Sequence, residues 1–405
     1  MKRVPVGLLS IAIVLAWAIP HFSTSVVGQA PSAQAPHIGE GGLPQFEKDP
    51  AWPKVPAKWK MGFGSAVTAD EQDHIWILSR PHTAPPKSSA APPVMEFDNA
   101  GNFIQGWGGE NGPGYQWPSN EHGITVDSKG FVWVVGNADG KRNNPANLPN
   151  DNQVLKFTKA GKFVMAIGKS GQTGSNKTEV LRGATGLYYY AKTNELFVSD
   201  GYGNSRVMVY DADTGKFKRM WGAYGNKPLD EEDRPRRSAP TPIPWVAVSE
   251  VLQQFASPVH DVKVSNDGLV YVADRGNKRV QIFTPEGRFV AEQFVGIDSK
   301  YYLQARGIAF SPDQRFLYLG GTPVVYILNR RTLEVLGTFD VGEGAQDHPP
   351  GHQIAADHKG NVYVVQAELT GADGKSGGTG AYKWVFKGYS PATKCCQGGG
   401  PHATN

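Results

Sequence analysis

The sequence predicts an all-β protein, a single six-bladed β-propeller. Three observations carry that reading. Six segments repeat one pattern at a spacing of about 40–50 residues. Each alternates Val, Ile, Phe, Tyr and Trp with polar residues at strand rather than helix period. Short polar turns then divide five of the segments into four runs, the layout of a propeller blade, and the sixth into three. The 49 Gly and 30 Pro in 405 residues suit many turns and no long helix.

In chain order, the first strands begin near Val67, Ile124, Leu187, Val262, Ile308 and Ile354. The second strands read HIWILSR, FVWVVGN, LFVSDGY, VYVADRG, FLYLGGT and VYVVQAE. Outer hairpins follow in five units, from VMEFDNAGNFIQGWG in the first to VVYILNRRTLEVLGTF in the fifth. The sixth unit has one clear outer strand, AYKWVFKGY. The segment near Gln45–Lys58 is expected to supply the missing strand, which would close the ring and remove open sheet edges. The blades are thus expected over 59–390, with 36–58 as the closing segment and 391–405 as a flexible tail.

At the N-terminus, Lys2 and Arg3 precede an apolar run from Val6 to Ile19, and small-x-small sites follow at Gly28–Ala30 and Ala33–Ala35. Residues 1–35 read as a signal peptide, and the apolar run is short for a membrane span. The expectation is an exported protein, periplasmic or secreted, with no membrane anchor. Cys395 and Cys396 are the two cysteines, adjacent in a Gly-rich tail, so no disulfide framework holds the blades. Formal net charge is +4, two of it from Lys2 and Arg3, and DRPRR near residue 235 is the one basic cluster. Nothing there indicates a nucleic-acid partner.

Three histidines occupy one phase of the repeat in every second unit. His122 opens HGITVDSKGFVWVV, His260 opens HDVKVSNDGLVYVA and His352 opens HQIAADHKGNVYVV. The first two strands of a blade form an antiparallel hairpin, so first-strand starts and second-strand ends share a face. Arg80, Tyr202 and Arg275 stand at second-strand ends in units one, three and four. The long connections 81–92, 138–152, 168–185, 222–259 and 367–380 gather over the same face, as loops of a binding site do.

A lone histidine at a strand start is ordinarily a hydrogen-bonding structural residue. Three in alternate repeats of a ring point at one axis. Three neutral imidazoles leave open positions on Zn²⁺, the arrangement of a catalytic site, and Cu or Fe accept the same ligands. His82 and His348 lie on loops of this face and are further candidate ligands. A nearby arginine can grip a carboxylate through two parallel hydrogen bonds, and a tyrosine there suits a base. The set fits a substrate with a hydroxyl and a carboxylate close together.

At these residues the chain resembles peptidyl-α-hydroxyglycine α-amidating lyase, a six-bladed propeller of NHL-type repeats, over roughly 60–390. The specific piece is VSDGYGNSRVMVYD at 198–211, where the family's DGY-x-NSR motif carries a catalytic tyrosine, here Tyr202. The family's zinc histidines map onto His122, His260 and His352. Its arginines map onto Arg80 in LSRPH and Arg275 in VADRGNKRVQIF. The resemblance implies a Zn²⁺-dependent carbon–nitrogen lyase of the peptidylamidoglycolate lyase type. Its substrate is a small molecule or peptide ending in an α-hydroxy carboxylate, split to a primary amide and glyoxylate. A monomer is expected.

Two positions depart from the pattern. Gly203 stands where the family has a disulfide cysteine. Gln353 stands where an Asp after the third histidine binds a structural Ca²⁺, so only the carbonyls of Val67 and Ile124 remain for that ion. Two alternatives carry different chemistry. A non-catalytic NHL-repeat binding protein needs no metal. A propeller lactonase or hydrolase would hold Ca²⁺ at the axis through Asp, Asn and Glu, where this chain has histidine.

Overall fold

A computed structural model of the protein describes residues 42–139, 150–172, 180–230, 233, 253–297, 304–342, 351–366 and 380–390. The signal-peptide reading at 1–35, the tail with Cys395 and Cys396, His348, and most of the loops 138–152, 222–259 and 367–380 lie outside the described residues. Among the described residues the strands form six four-stranded antiparallel sheets. The protein is a six-bladed β-propeller.

Blade I comprises β2 (Phe63–Ala69), β3 (Ile75–Arg80), β4 (Val94–Phe97) and β5 (Phe103–Trp107). Blade II comprises β6 (Glu121–Val126), β7 (Phe131–Gly136), β8 (Gln153–Thr158) and β9 (Phe163–Gly168). Blade III holds β10 (Ala184–Tyr190), β11 (Glu195–Asp200), β12 (Arg206–Asp211) and β13 (Phe217–Trp221). Blade IV holds β14 (Val259–Val264), β15 (Val270–Asp274), β16 (Arg279–Phe283) and β17 (Phe289–Phe294). Blade V runs β18 (Ile308–Phe310), β19 (Phe316–Gly320), β20 (Val324–Asn329) and β21 (Val335–Asp340).

The sixth sheet is completed from the other end of the chain. It contains β22 (Ile354–Ala356), β23 (Val362–Val365) and β24 (Ala381–Ser390), with β1 (Leu43–Asp49) as its outer strand. The strand lies within 36–58 and overlaps the start of the Gln45–Lys58 segment. Trp52, just after β1, then seals the seam by packing on Phe97 of blade I and Tyr363 of blade VI.

Second strands are buried on both faces, which is why they read as nearly continuous apolar runs; IWIL in β3 and VWVVG in β7 are fully covered. Outer strands such as β9 keep one face partly open and alternate. The apolar side chains meet between blades rather than within them. One interface joins Trp133, Val135 and Val154 of blade II to Leu187, Leu196 and Met208 of blade III, and five equivalent clusters fill the other interfaces. Each large side chain buried there contributes about 1.5–3 kcal/mol, so the ring is held by its six seams.

One device recurs where the first hairpin turns. Asp70 accepts from the main-chain N–H groups of Gln72 and His74 and from Trp76 Nε1. Asp127 does the same for Lys129, Phe131 and Trp133, and Asp357 for Lys359, Asn361 and Tyr363. The six-residue spacing from Asp to aromatic therefore locks the turn to the second strand, at the end of the blade away from the histidines.

Candidate metal centre

The innermost strand of each blade carries an irregularity at one shared position. Register skips a residue between Gly64 and Ala66, Glu121 and Gly123, Ala184 and Gly186, and Val259 and Asp261. The skipped residues are Ser65, His122, Thr185 and His260. In blades V and VI the same place is held by Arg306 and His352, whose N–H groups bond Gly320 and Val365 while those residues bond back to Gly307 and Gln353. A β-bulge re-aims the side chain it releases. Going round the channel, the ring reads Ser65, His122, Thr185, His260, Arg306, His352.

Three of these six converge. Ring centroids of His122 and His260 are 5.0 Å apart, and His352 is 4.7 Å from each. One ligand nitrogen from each lies within 4.8 Å of the others. All three side chains are buried. The odd blades orient them: His122 Nδ1 donates to the Thr185 carbonyl at 2.9 Å and His352 Nδ1 to the Ser65 carbonyl at 2.7 Å. The Arg306 main chain meets His260 in the corresponding way, although its geometry falls short of a full hydrogen bond. Gly123 makes this possible, since a Cβ there would overlap the Thr185 carbonyl that receives His122.

With Nδ1 turned outward, Nε2 faces the axis. His122 Nε2 and His260 Nε2 are buried without a hydrogen-bond partner. A buried polar atom left unmade costs about 1–3 kcal/mol, and two in one triangle mark a place for a ligand. Burial first, and then neighbouring charge (Arg80 for His122, His122 for His260, Arg306 for His352), holds all three imidazoles well below the usual histidine range. They are neutral at pH 7, the state that binds a metal. The donor set, its outward hydrogen bonds and its unmet nitrogens fit a three-histidine metal centre.

Tyr202 and the two expected arginines stand around this triangle. The Tyr202 ring lies 5.5 Å from that of His122, edge to face. Arg275 Nη1 donates to the Tyr202 hydroxyl at 3.3 Å. Arg80 Nε donates to the Glu121 carbonyl at 2.9 Å, which sets its charge beside His122. His82 is exposed on the 3-10 turn Pro81–Thr83 and is not among the clustered ligands.

The loops bearing Tyr202 and Arg275 are two copies of one clamp. Asp200 accepts from Asn204, from Arg206 Nε and from the Arg182 N–H. Asp274 accepts from Asn277, from Arg279 Nε and from the Ala256 N–H. Both Asp–Arg pairs are fully buried. A buried pair of this kind is costly to break, so the clamp holds each loop rigidly over the channel. Gly201 is needed beside Tyr202, because a Cβ there would collide with the Val259 carbonyl. Arg182 lies across Gly203, in the space a disulfide would need.

Below the histidines, the place of the family's Ca²⁺ aspartate is held by Gln353. Gln353 presents an amide, and its Nε2 donates to the His260 carbonyl at 3.2 Å. Asp261 is a buried carboxylate at this level, but it accepts from the Val262 and Ile308 N–H groups and pairs with Lys263 Nζ at 2.8 Å. Lys263 also reaches the Leu187 carbonyl at 3.5 Å. The positive charge here belongs to a side chain.

Arg306, Asp261, Lys263 and the Asp–Asn–Arg clamps were not among the expected site residues. A signal for Arg306 was present: Arg306-Gly307-Ile308 repeats the phase and spelling of His122-Gly123-Ile124.

The NHL repeat family matches residues 259–283, the stretch that holds both His260 and Arg275. The chain carries an NHL repeat. Among its relatives, peptidyl-glycine α-amidating monooxygenase A of Xenopus laevis is 29% identical over 257 residues, 61% of this chain and 23% of that protein. The chain thus spans less than a quarter of that relative's length. NHL repeat-containing protein 3 of Mus musculus is 24% identical over 343 residues, covering 80% of this chain and 82% of that protein. The probable peptidyl-α-hydroxyglycine α-amidating lyase of Caenorhabditis elegans is 28% identical over 165 residues, 40% of this chain and 36% of that protein. Its propeller relatives therefore include amidating enzymes.

Proposed function

We propose that the protein is an exported, zinc-dependent lyase that cleaves the C–N bond of an α-hydroxyglycine-type amide, releasing a primary amide and glyoxylate. One observation carries this reading: three neutral imidazoles with axial Nε2 atoms lie against a tyrosine whose hydroxyl is held by an arginine. A zinc ion held by His122, His260 and His352 would supply a Lewis acid for the substrate's α-hydroxyl oxygen.

The chain's own residues account for the rest. Tyr202 presents its phenol oxygen on the His122 side of the triangle and takes the α-hydroxyl proton. Arg275 fixes that oxygen in position. Arg80, with the positive charge it brings beside His122, helps to balance the substrate carboxylate. As the carbonyl of glyoxylate forms, the C–N electron pair leaves with nitrogen, which gains a proton. No water is consumed. The burial of the histidines fits this, since it keeps bulk solvent from the reacting carbon.

The decisive assay combines zinc content with release of glyoxylate and benzamide, one to one, from α-hydroxyhippurate. About one zinc per chain and stoichiometric products are expected. A second reading has support in the match along most of both chains to a relative named only for its NHL repeats. In that reading the protein binds metal and ligand without turnover, and zinc-loaded protein inert on α-hydroxy amides would establish it.

A further inference from the structure

We propose that the Lys263 ammonium is the resident cation of the inner ring below the histidines, tying neighbouring blades through oxygen atoms as a bound divalent ion would. This does not depend on the lyase reading above, because it concerns the scaffold and not the reacting centre.

Position in the ring is the first argument. One residue after the histidine phase, the six innermost strands carry Ala66, Gly123, Gly186, Asp261, Gly307 and Gln353. Two residues further on they carry Thr68, Thr125, Tyr188, Lys263, Ala309 and Ala355. Each level holds a single charged side chain, and both belong to β14. One anion and one cation, two residues apart on one strand, stand among small or neutral neighbours.

The contacts are the second argument. Asp261 is fully buried, and Lys263 Nζ lies 2.8 Å from its Oδ1. That oxygen also accepts from the Val262 N–H, while Oδ2 accepts from the Ile308 N–H of blade V at 2.9 Å. Toward blade III, Nζ reaches the Leu187 carbonyl at 3.5 Å and lies 6.0 Å from the centre of the Tyr188 ring. Gly186 leaves room for the carboxylate, since a Cβ there would stand 2.5 Å from Asp261 Oδ1. The pair thus links three successive blades. Calcium takes about six to eight oxygen ligands. Here two N–H groups already occupy the carboxylate, and Gln353 turns an amide N–H to the His260 carbonyl. An ammonium with three donors suits so few oxygens better, and its tether removes any dependence on an ion from solution.

The test uses the full zinc-loaded protein, Lys263→Ala, and the double variant Asp261→Asn/Lys263→Ala. Each is melted with and without millimolar CaCl₂ and analysed for bound calcium. Wild type should bind no calcium and melt at the same temperature in both buffers. Lys263→Ala should melt roughly 5–10 °C lower, because it strands a buried carboxylate. The Lys263 side chain is 18% exposed, so a hydrated ion can enter the place it vacates. Calcium should then restore about half or more of the loss in Lys263→Ala. It should restore nothing in the double variant, which has no carboxylate to offer.

Calcium bound to wild type, with a raised melting temperature, overturns the proposal. So does a Lys263→Ala protein as stable as wild type without calcium. A loss that calcium leaves untouched overturns it too, since Lys263 would then be an ordinary ion-pair partner. If Lys263→Ala does not fold in plain buffer, refolding with CaCl₂ decides: soluble protein recovered only with calcium upholds the proposal, and none in either buffer overturns it. Absence of glyoxylate release would sink the lyase reading and change none of these outcomes.

Discussion

Two clusters of three ligand-type side chains lie at opposite ends of the blade hairpins, and they differ in what their polar atoms do. At the turn end of blade I, Asp70, His74 and Glu96 come as close together as the three axial histidines. Yet Asp70 is filled by two N–H groups, Trp76 and Lys159, while Glu96 is filled by His74 and Gln105. At the axial end, each histidine spends one nitrogen on the scaffold or toward it, and Nε2 of His122 and His260 has no partner. Proximity of ligand atoms therefore does not distinguish a metal site from a well-made turn. Unmet hydrogen-bonding capacity does, because the scaffold tolerates that cost only where something else relieves it.

The sharpest way to break this contrast is to remove a histidine. His260→Ala should lose most of its zinc, read by elemental analysis, and on the order of 10³-fold or more of its turnover. Full zinc occupancy in this variant would mean that another ligand set, such as one including His82, holds the ion. Tyr202→Phe is the next largest effect. It deletes the hydroxyl held by Arg275, keeps the ring against His122, and should lower turnover about 10²-fold or more with zinc retained. Near-wild-type rates in that variant would remove Tyr202 from the mechanism.

At the turn end the expectations reverse. Asp70→Ala strands two N–H groups, the Trp76 indole and the Lys159 ammonium, so thermal or urea unfolding should show a loss of about 1–3 kcal/mol. Zinc content and turnover of the folded protein should not move. A metal deficit there would show that the two ends are coupled.

The smallest effect concerns acid stability at Glu195, also at the turn end. Burial alone would raise its carboxyl, but Arg219, Lys218 and Thr193 outweigh it and bring it down to about 2. A carboxylate lowered in the folded state adds stability above its ordinary value of 4.5, and that stability is lost as pH falls from there toward about 2. After allowance for solvent screening the contribution is about 1 kcal/mol. Glu195→Gln should therefore be less stable than wild type at pH 7 and converge with it in acid, as followed by unfolding at a series of pH values.

Much of this could be read along the chain. The alternation in FVWVVG or VYVAD marks a buried second strand because a pleated strand places successive side chains on opposite faces whatever its neighbours do. The Asp-to-aromatic spacing in the first, second and sixth units is equally local, and so is the Asp–Asn–Arg spacing that fixes the Tyr202 and Arg275 loops. The three histidines stood out because a repeat gives every residue a phase, and they share one.

What the chain by itself determined, then, is everything that depends on period and phase: six blades, strand direction, and the end of the channel to which His122, His260, His352, Arg80, Tyr202 and Arg275 belong. Tertiary structure decided the rest. It chose Leu43–Asp49 as the last blade's outer strand, a pairing between segments more than three hundred residues apart that no local pattern specifies. It brought the Ile308 N–H of the next blade onto the Asp261 carboxylate, and it brought Arg306 into the histidine ring although its residue type breaks the series. Pattern is a property of neighbours in sequence. Convergence on an axis exists only once the ring has closed and the bulges have turned each side chain inward.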